Sequence, residues 1–217
     1  MLITSRSARE YRAMFDLAEL STDSVLDCCA GGASFTADLG GAAVALDPVY
    51  AMGQAKLAEE IRIGQQGASA ISYTNAEHFD WSWYGSRERR EEMRAEAARH
   101  FLADIAARPG RYVAGDVHHL PFADNSFDLV LCSHLLFTWS DVLDDDWHRR
   151  AIRELLRVSR GEVRIFPTVV QKTGNTVPFL PALREDFAAR GVSSRFAKVP
   201  YHFQVGADEM LVFSSTR

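Results

Sequence analysis

Cysteine is scarce in this sequence: 217 residues include only Cys28, Cys29 and Cys132. Three thiols without regular spacing exclude a disulfide framework and suit a reducing compartment. The adjacent pair has no C-x-x-C partner and no histidine-rich counterpart, so no metal site is expected. Long apolar runs are absent too. Nothing approaches the ~18 residues of a membrane span, and the opening MLITSRSAREY is too polar for a signal peptide.

Positive charge is in deficit, with 24 Lys and Arg against 29 Asp and Glu, a formal net charge of −5. That removes the general basic footprint of nucleic-acid binding. The run SRERREEMR at 86–94 carries its own glutamates and reads as a solvated helix face. The expectation is a cytoplasmic protein, monomer or homodimer, with neither nucleic acid nor membrane as partner. The G-x-G-x-x-G fingerprint of nicotinamide and flavin sites is missing as well.

What is present is a succession of strands and helices in a chain 47% hydrophobic and 24% charged, expected as one domain over 1–217. Ser7 and Glu10 have capping-box spacing ahead of Tyr11, Met14, Phe15 and Leu17-Ala18. STDS at 21–24 breaks that helix. VLD (25–27), AAVALD (42–47), RYVAGD (111–116), FDLVLCS (127–133), EVRIFPT (162–168), RFAKVPYHF (195–203) and EMLVFSS (209–215) read as strands. DDWHRRAIRELLRVS carries an apolar helical stripe of Trp147, Ala151, Ile152, Leu155 and Leu156, and PALREDFAARG reads as a further helix. The fold class expected is α/β: a Rossmann-like, seven-stranded, mostly parallel sheet with helices on both faces and an antiparallel last strand.

The stretch from Pro48 to Gly110 is far longer than a crossover needs. It ends in a helix with Met93, Ala97, Phe101 and Ile105 at i+4, and its middle, SYTNAEHFDWSWYGSR, is aromatic without a period. Two readings stand for this 48–110 insertion: a lid or substrate wall, or an extra packing layer. An aromatic cage around Trp81, Trp83 and Tyr84, near His78 and Asp80, is one use for it; core packing is the other.

The stretch VLDCCAGGASF places a small-residue turn, from Asp27 to Ser34, straight after the first strand. In an open parallel sheet such a turn faces the ligand. Small side chains let the ligand approach the backbone, and the helix beginning near Ser34 offers unpaired N–H groups to a carboxylate or phosphate. Asp47 closes the second strand about twenty residues after Asp27, where doubly wound folds bind ribose hydroxyls. Two aspartates so spaced around a small-residue turn read as nucleoside recognition.

With GDVHHLPFADNSFDLVLCSHLLF added, the chain resembles the class I S-adenosylmethionine-dependent methyltransferases, in particular their small-molecule branch. VLDCCAGGASF is similar to the glycine-rich first motif, with Cys29, Gly31 and Ala33 at its three glycine positions. VALDP is similar to the second acidic strand end, and RELLRVSRGEVRIFP to the helix and fifth strand. The resemblance implies S-adenosyl-L-methionine as cofactor and a small-molecule methyl acceptor as partner. It implies that Asp27 and the Cys29, Ala30, Gly31 and Gly32 turn hold the methionine portion. Asp47, followed by Pro48, would take the ribose hydroxyls, Asp116 and Val117 the adenine, and Ser133 the border with the sulfonium. His134 is the candidate base or positioning residue, and Tyr11, Trp83, Tyr84 and His134 are candidates for the acceptor pocket. His118 and His119 read as shaping the adenine side or facing solvent. Arg6 could meet the cofactor's carboxylate, or the first helix could be an exposed cover.

Methyl transfer from a sulfonium needs alignment and dryness more than acid–base groups, which accounts for the lack of a catalytic constellation. Two alternatives stay open: a protein that binds or senses the same nucleoside without methylating, and a different nucleotide-binding module such as a dehydrogenase.

Overall fold

Strand alternation sorts the core. In β1 (Val25–Cys28) all four residues are buried, and successive side chains point to opposite faces. Leu26 and Cys28 join one apolar cluster with Val130, Ile152 and Leu155, while Val25 packs with Tyr11, Met14 and Phe15 on the other face. The computed structural model describes residues 2–17, 24–171 and 173–215. Residues 21–23 of the expected STDS break, and Ala18, lie outside them.

The remaining strands are β2 (Ala43–Leu46), β3 (Tyr112–Val113), β4 (Phe127–Ser133), β5 (Ser159–Phe166), β6 (Val192–Lys198) and β7 (Glu209–Ser215). The helices are α1 (Ala8–Met14), α2 (Phe35–Leu39), α3 (Gln54–Thr74), α4 (Arg87–Ala107), α5 (Asp145–Val158) and α6 (Leu180–Ala189). The sheet order is β3-β2-β1-β4-β5-β7-β6. The pairs from β3 to β5 are parallel, and β7 runs against both β5 and β6. The expected mostly parallel seven-stranded sheet with its reversed last strand is what forms. The third strand is two residues long rather than six, since Gly115 and Asp116 have already left the ladder.

Strand order reverses between β1 and β4, which lie side by side with Cys28 opposite Cys132. The carboxyl ends of β1, β2 and β4 therefore share one edge, with Asp47 just past β2 and Ser133 closing β4. The insertion is a pair of 21-residue helices, α3 and α4, packed together and joined by the aromatic segment. Phe101 and Ile105 of α4 meet Leu57 and Ile61 of α3 above Ala45 and Tyr112.

Residues 2–6 run across the first turn as an extended strap. Gly32 N–H donates to the Thr4 carbonyl at 3.2 Å and Ser34 N–H to the Arg6 carbonyl at 2.9 Å. The capping box then forms as the spacing predicts: the Ser7 hydroxyl accepts from Glu10 N–H at 3.2 Å and Glu10 accepts from Ser7 N–H at 2.7 Å.

Candidate functional site

A cavity of about 450 Å³ opens over the crest of the sheet, within the size range of small-molecule sites. Of the residues singled out in the sequence, Tyr11, Cys29, Ala30, Gly31, Asp47, Pro48, Asp116, Val117, Ser133 and His134 all line it. Asp27, Gly32, Trp83 and Tyr84 do not.

Cys29 stands where the first motif usually has glycine and adopts φ +60, a left-handed backbone that costs a non-glycine residue roughly 1 kcal/mol or more. Its N–H is held by the Leu46 carbonyl at 2.7 Å, which ties the turn to the end of β2. Gly31, at φ +57, donates its N–H to Asp47 Oδ2 at 2.9 Å, and Val49 N–H donates to Oδ1 at 3.0 Å. Asp47 is thereby fixed at the cavity wall with lone pairs remaining on both oxygens. Burial raises its pKa against the lowering by those two amides. Asp116 sits exposed at the rim, with Oδ1 accepting from His118 N–H at 2.8 Å.

Asp27 takes a different place from the one expected. Strand alternation turns it to the α1 face beside Val25, where it is fully buried. Tyr11 donates its hydroxyl to Asp27 Oδ1 at 3.0 Å, and Oδ2 is buried without a partner. Burial pushes this carboxyl up to about 8; the Tyr11 bond opposes the rise, the nearby Asp47 charge adds to it, and Arg6 opposes it. Of the turn after it, Cys29, Ala30 and Gly31 reach the cavity.

The expected anion site at the start of the helix near Ser34 is also displaced. The N–H groups of Gly32 and Ser34 are spent on the strap, and α2 is five residues long. The guanidinium of Arg6, delivered by the same strap, lines the cavity instead; its Nη1 donates to Thr4 Oγ1 at 2.8 Å and its Nε has no partner.

His134 follows β4 with φ +56, its N–H held by the Phe166 carbonyl at 2.7 Å and its Nδ1 at 2.8 Å from Ser133 Oγ. Burial first, then the charges of Arg6, Arg94 and Arg90, hold its pKa well below the usual histidine value. The imidazole is neutral near pH 7 and a weak base, so the expectation of a base shifts towards positioning.

The aromatic segment does not form a cage facing the cavity. Trp83 packs edge-on against Tyr84 and Tyr201, with ring centroids 4.8 and 4.9 Å away. The Tyr84 hydroxyl donates to Glu10 Oε1 at 2.6 Å and lies 2.8 Å from the Tyr201 hydroxyl. These rings are spent on one another and on a buried acid. His78 and Asp80 do not line the cavity, while Phe79 does.

The residues that the sequence reading missed are Arg90 and Arg94. Far from being a solvated face, they are 3% and 5% exposed and line the cavity. Arg94 Nη2 donates to Glu10 Oε1 at 2.9 Å, and Arg90 Nη1 to Glu91 Oε1 at 3.1 Å. A signal was there: positions 90, 94, 97, 101 and 105 continue the apolar stripe at i+3 and i+4, so the arginines lie on the face that α4 turns inward.

The residues present suit an adenosyl group with an amino-acid tail. Buried Asp47 and rim Asp116 offer acceptors at one end, Arg6 offers a cation for a carboxylate, and apolar walls lie between.

A family model described as a methyltransferase domain matches residues 86–166. An uncharacterised protein of Methanocaldococcus jannaschii is 25% identical over 219 residues, covering 97% of this chain and 95% of the relative. Among solved structures, a mitomycin 7-O-methyltransferase gives a TM-score of 0.51 at 16% identity, covering 96% of this chain and 53% of that one. The magnesium protoporphyrin IX methyltransferase of Synechocystis PCC 6803, solved with S-adenosylmethionine bound, gives 0.49 at 12% identity, covering 96% and 80%.

Proposed function

We propose that the chain is a class I S-adenosylmethionine-dependent methyltransferase that methylates a small molecule held in the crest cavity; the methyltransferase-domain match over residues 86–166 and the order of the sheet support the reading. The observation that carries the reading is the meeting of Asp47, Asp116, Arg6 and His134 on the wall of one cavity at the switch point of the sheet.

When bound, S-adenosylmethionine supplies an activated methyl group on a sulfonium. The chain's part is to bind, orient and exclude water. Asp47 is the partner for the ribose hydroxyls, its orientation fixed by the two amides it accepts from. Asp116 and Val117 are the adenine side, beside Trp147. Cys29, Ala30 and Gly31 give a low floor, and Pro48 borders the ribose side. Arg6 is the partner for the cofactor's carboxylate, in place of the helix end that the strap occupies. Asp27 acts from below by fixing Tyr11, whose ring stacks on Phe35 at 4.8 Å.

His134 remains a neutral positioning residue. Ser133 fixes its Nδ1 side, which leaves Nε2 for the acceptor. Three nearby guanidiniums lower the cost of an acceptor that arrives already deprotonated, so a strong base is not required. Phe79, Tyr201, Phe203 and the α3–α4 insertion supply the wall that keeps water out.

Calorimetry tests the reading. S-adenosylhomocysteine is expected to bind with micromolar or better affinity, NAD not to bind, and Asp47→Ala to weaken the first by at least about tenfold. Equal binding of NAD would point to another nucleotide module. A screen of phenols, carboxylates, amines and thiols then separates a methyltransferase from a sensor, which would turn over none of them.

A further inference from the structure

The cavity runs along the crest from the β3 side to the loop between β6 and β7, and its two ends differ in chemistry. The end near Asp47 and Asp116 presents carboxylates. The other end is lined by Arg90, Arg94, Thr138, Gln171, Tyr201 and Gln204. On the cavity-lining residues, the buried side-chain polar atoms left without a partner are Nε of Arg6, Arg90 and Arg94 and Oγ1 of Thr138. All four can donate, and the three guanidinium nitrogens can do nothing else.

Charge follows the same pattern. Arg94 is answered by Glu10, which is fully buried. Arg90 is answered by Glu91, whose side chain is 38% exposed and whose Oε1 also accepts from Ser69 at 2.6 Å and Tyr73 at 3.3 Å. Glu60, on the cavity wall, makes no ion pair with any of the three arginines among the described residues. Arg90 is also stacked over the Phe203 ring, 4.9 Å from its centroid, so its planar fork is held in one orientation. A buried guanidinium with an idle N–H and a shared, half-exposed partner calls for an oxyanion.

Resting on the proposed methyl transfer, we infer that the acceptor is an apolar carboxylic acid whose carboxylate is held by Arg90, with Arg94 and Thr138 behind it, at the cavity end away from Asp47 and Asp116. Phe79, Phe166 and Phe203 receive the apolar body. The carboxylate is the handle, and the atom to be methylated lies towards His134.

The test uses the full chain, unloaded and loaded with S-adenosylhomocysteine, titrated with matched acids and amides: benzoate and benzamide, 2-naphthoate and 2-naphthamide, hexanoate and hexanamide. At least one acid is expected to bind about tenfold tighter than its amide. Arg90→Gln should erase that preference while changing S-adenosylhomocysteine affinity less than about twofold. Arg90→Lys, which keeps the charge and loses the fork, should retain part of it and serves if the glutamine variant does not fold. Amides equal to acids in every pair, or no binding by any acid, overturns the inference. So does an Arg90→Gln or Arg90→Lys loss that falls as heavily on S-adenosylhomocysteine, which would assign the arginine to the cofactor. Failure of S-adenosylhomocysteine to bind at all strikes the methyltransferase reading instead, and the unloaded titration still scores the anion site.

Discussion

At the scale of single residues, burial decides more than identity does. Asp27 looked like a cofactor ligand because of its neighbours in sequence, yet alternation along β1 turns it away from the cavity and under Tyr11. Its folded-state pKa of about 8 stands well above the ordinary carboxylate value. The unfolded chain gives up that proton near pH 4, so the stability this group contributes is complete below that and is lost as pH rises through 8. Asp27→Asn removes the titration and keeps an acceptor for Tyr11. The unfolding free energy of the variant, read from denaturant titrations, is therefore expected to fall less between pH 5 and 8 than that of the parent, by an amount on the order of a few kcal/mol. Parallel curves for the two proteins would mean that Asp27 is ionised in the fold.

At the scale of elements, two pieces of chain finish the site: the strap of residues 2–6 and the helix α4. The strap packs on α3 at Gly64, where an added Cβ would collide with the Ile3 backbone. Ile3, Thr4 and Arg6 all line the cavity. Gly64→Ala is thus expected to cost about 1–3 kcal/mol in stability and, by moving the strap, to weaken S-adenosylhomocysteine binding. Denaturant midpoints and calorimetry on the same variant check both, and an unchanged midpoint would show that the strap yields freely. The strap could not be read from its residues, since LITSR has no period and its bonds join its own backbone carbonyls to backbone N–H groups, which any sequence carries. In α4 the stripe was legible from Met93 to Ile105, but its extension through Arg90 and Arg94 was masked by their charge. A charged residue on an inward face is buried only when something there answers it, and Glu10 comes from a different element more than eighty residues earlier.

At the scale of the whole molecule, a ligand that spans β2, the loop after β3 and the strap ties them together. Such a ligand stabilises the native state by about 2.7 kcal/mol at a hundred times its dissociation constant. For a chain of this length that corresponds to a midpoint rise of roughly 5–10 °C. S-adenosylhomocysteine is expected to produce the rise in a thermal melt and NAD none. The sequence by itself determined the strand succession, the parallel sheet with its reversed last strand, and the acidic strand end at Asp47, because periodicity, turn residues and βαβ handedness are local or nearly local rules. It also determined the long insertion, through its length alone. Only the tertiary structure decided that the strap takes the amides of Gly32 and Ser34, that Trp83 and Tyr84 face one another rather than a ligand, and that burial and the charges of three arginines hold down the pKa of His134. Those outcomes depend on which distant groups meet in a place without water, where the cost of leaving a charge or an N–H unanswered is set by its neighbours in space.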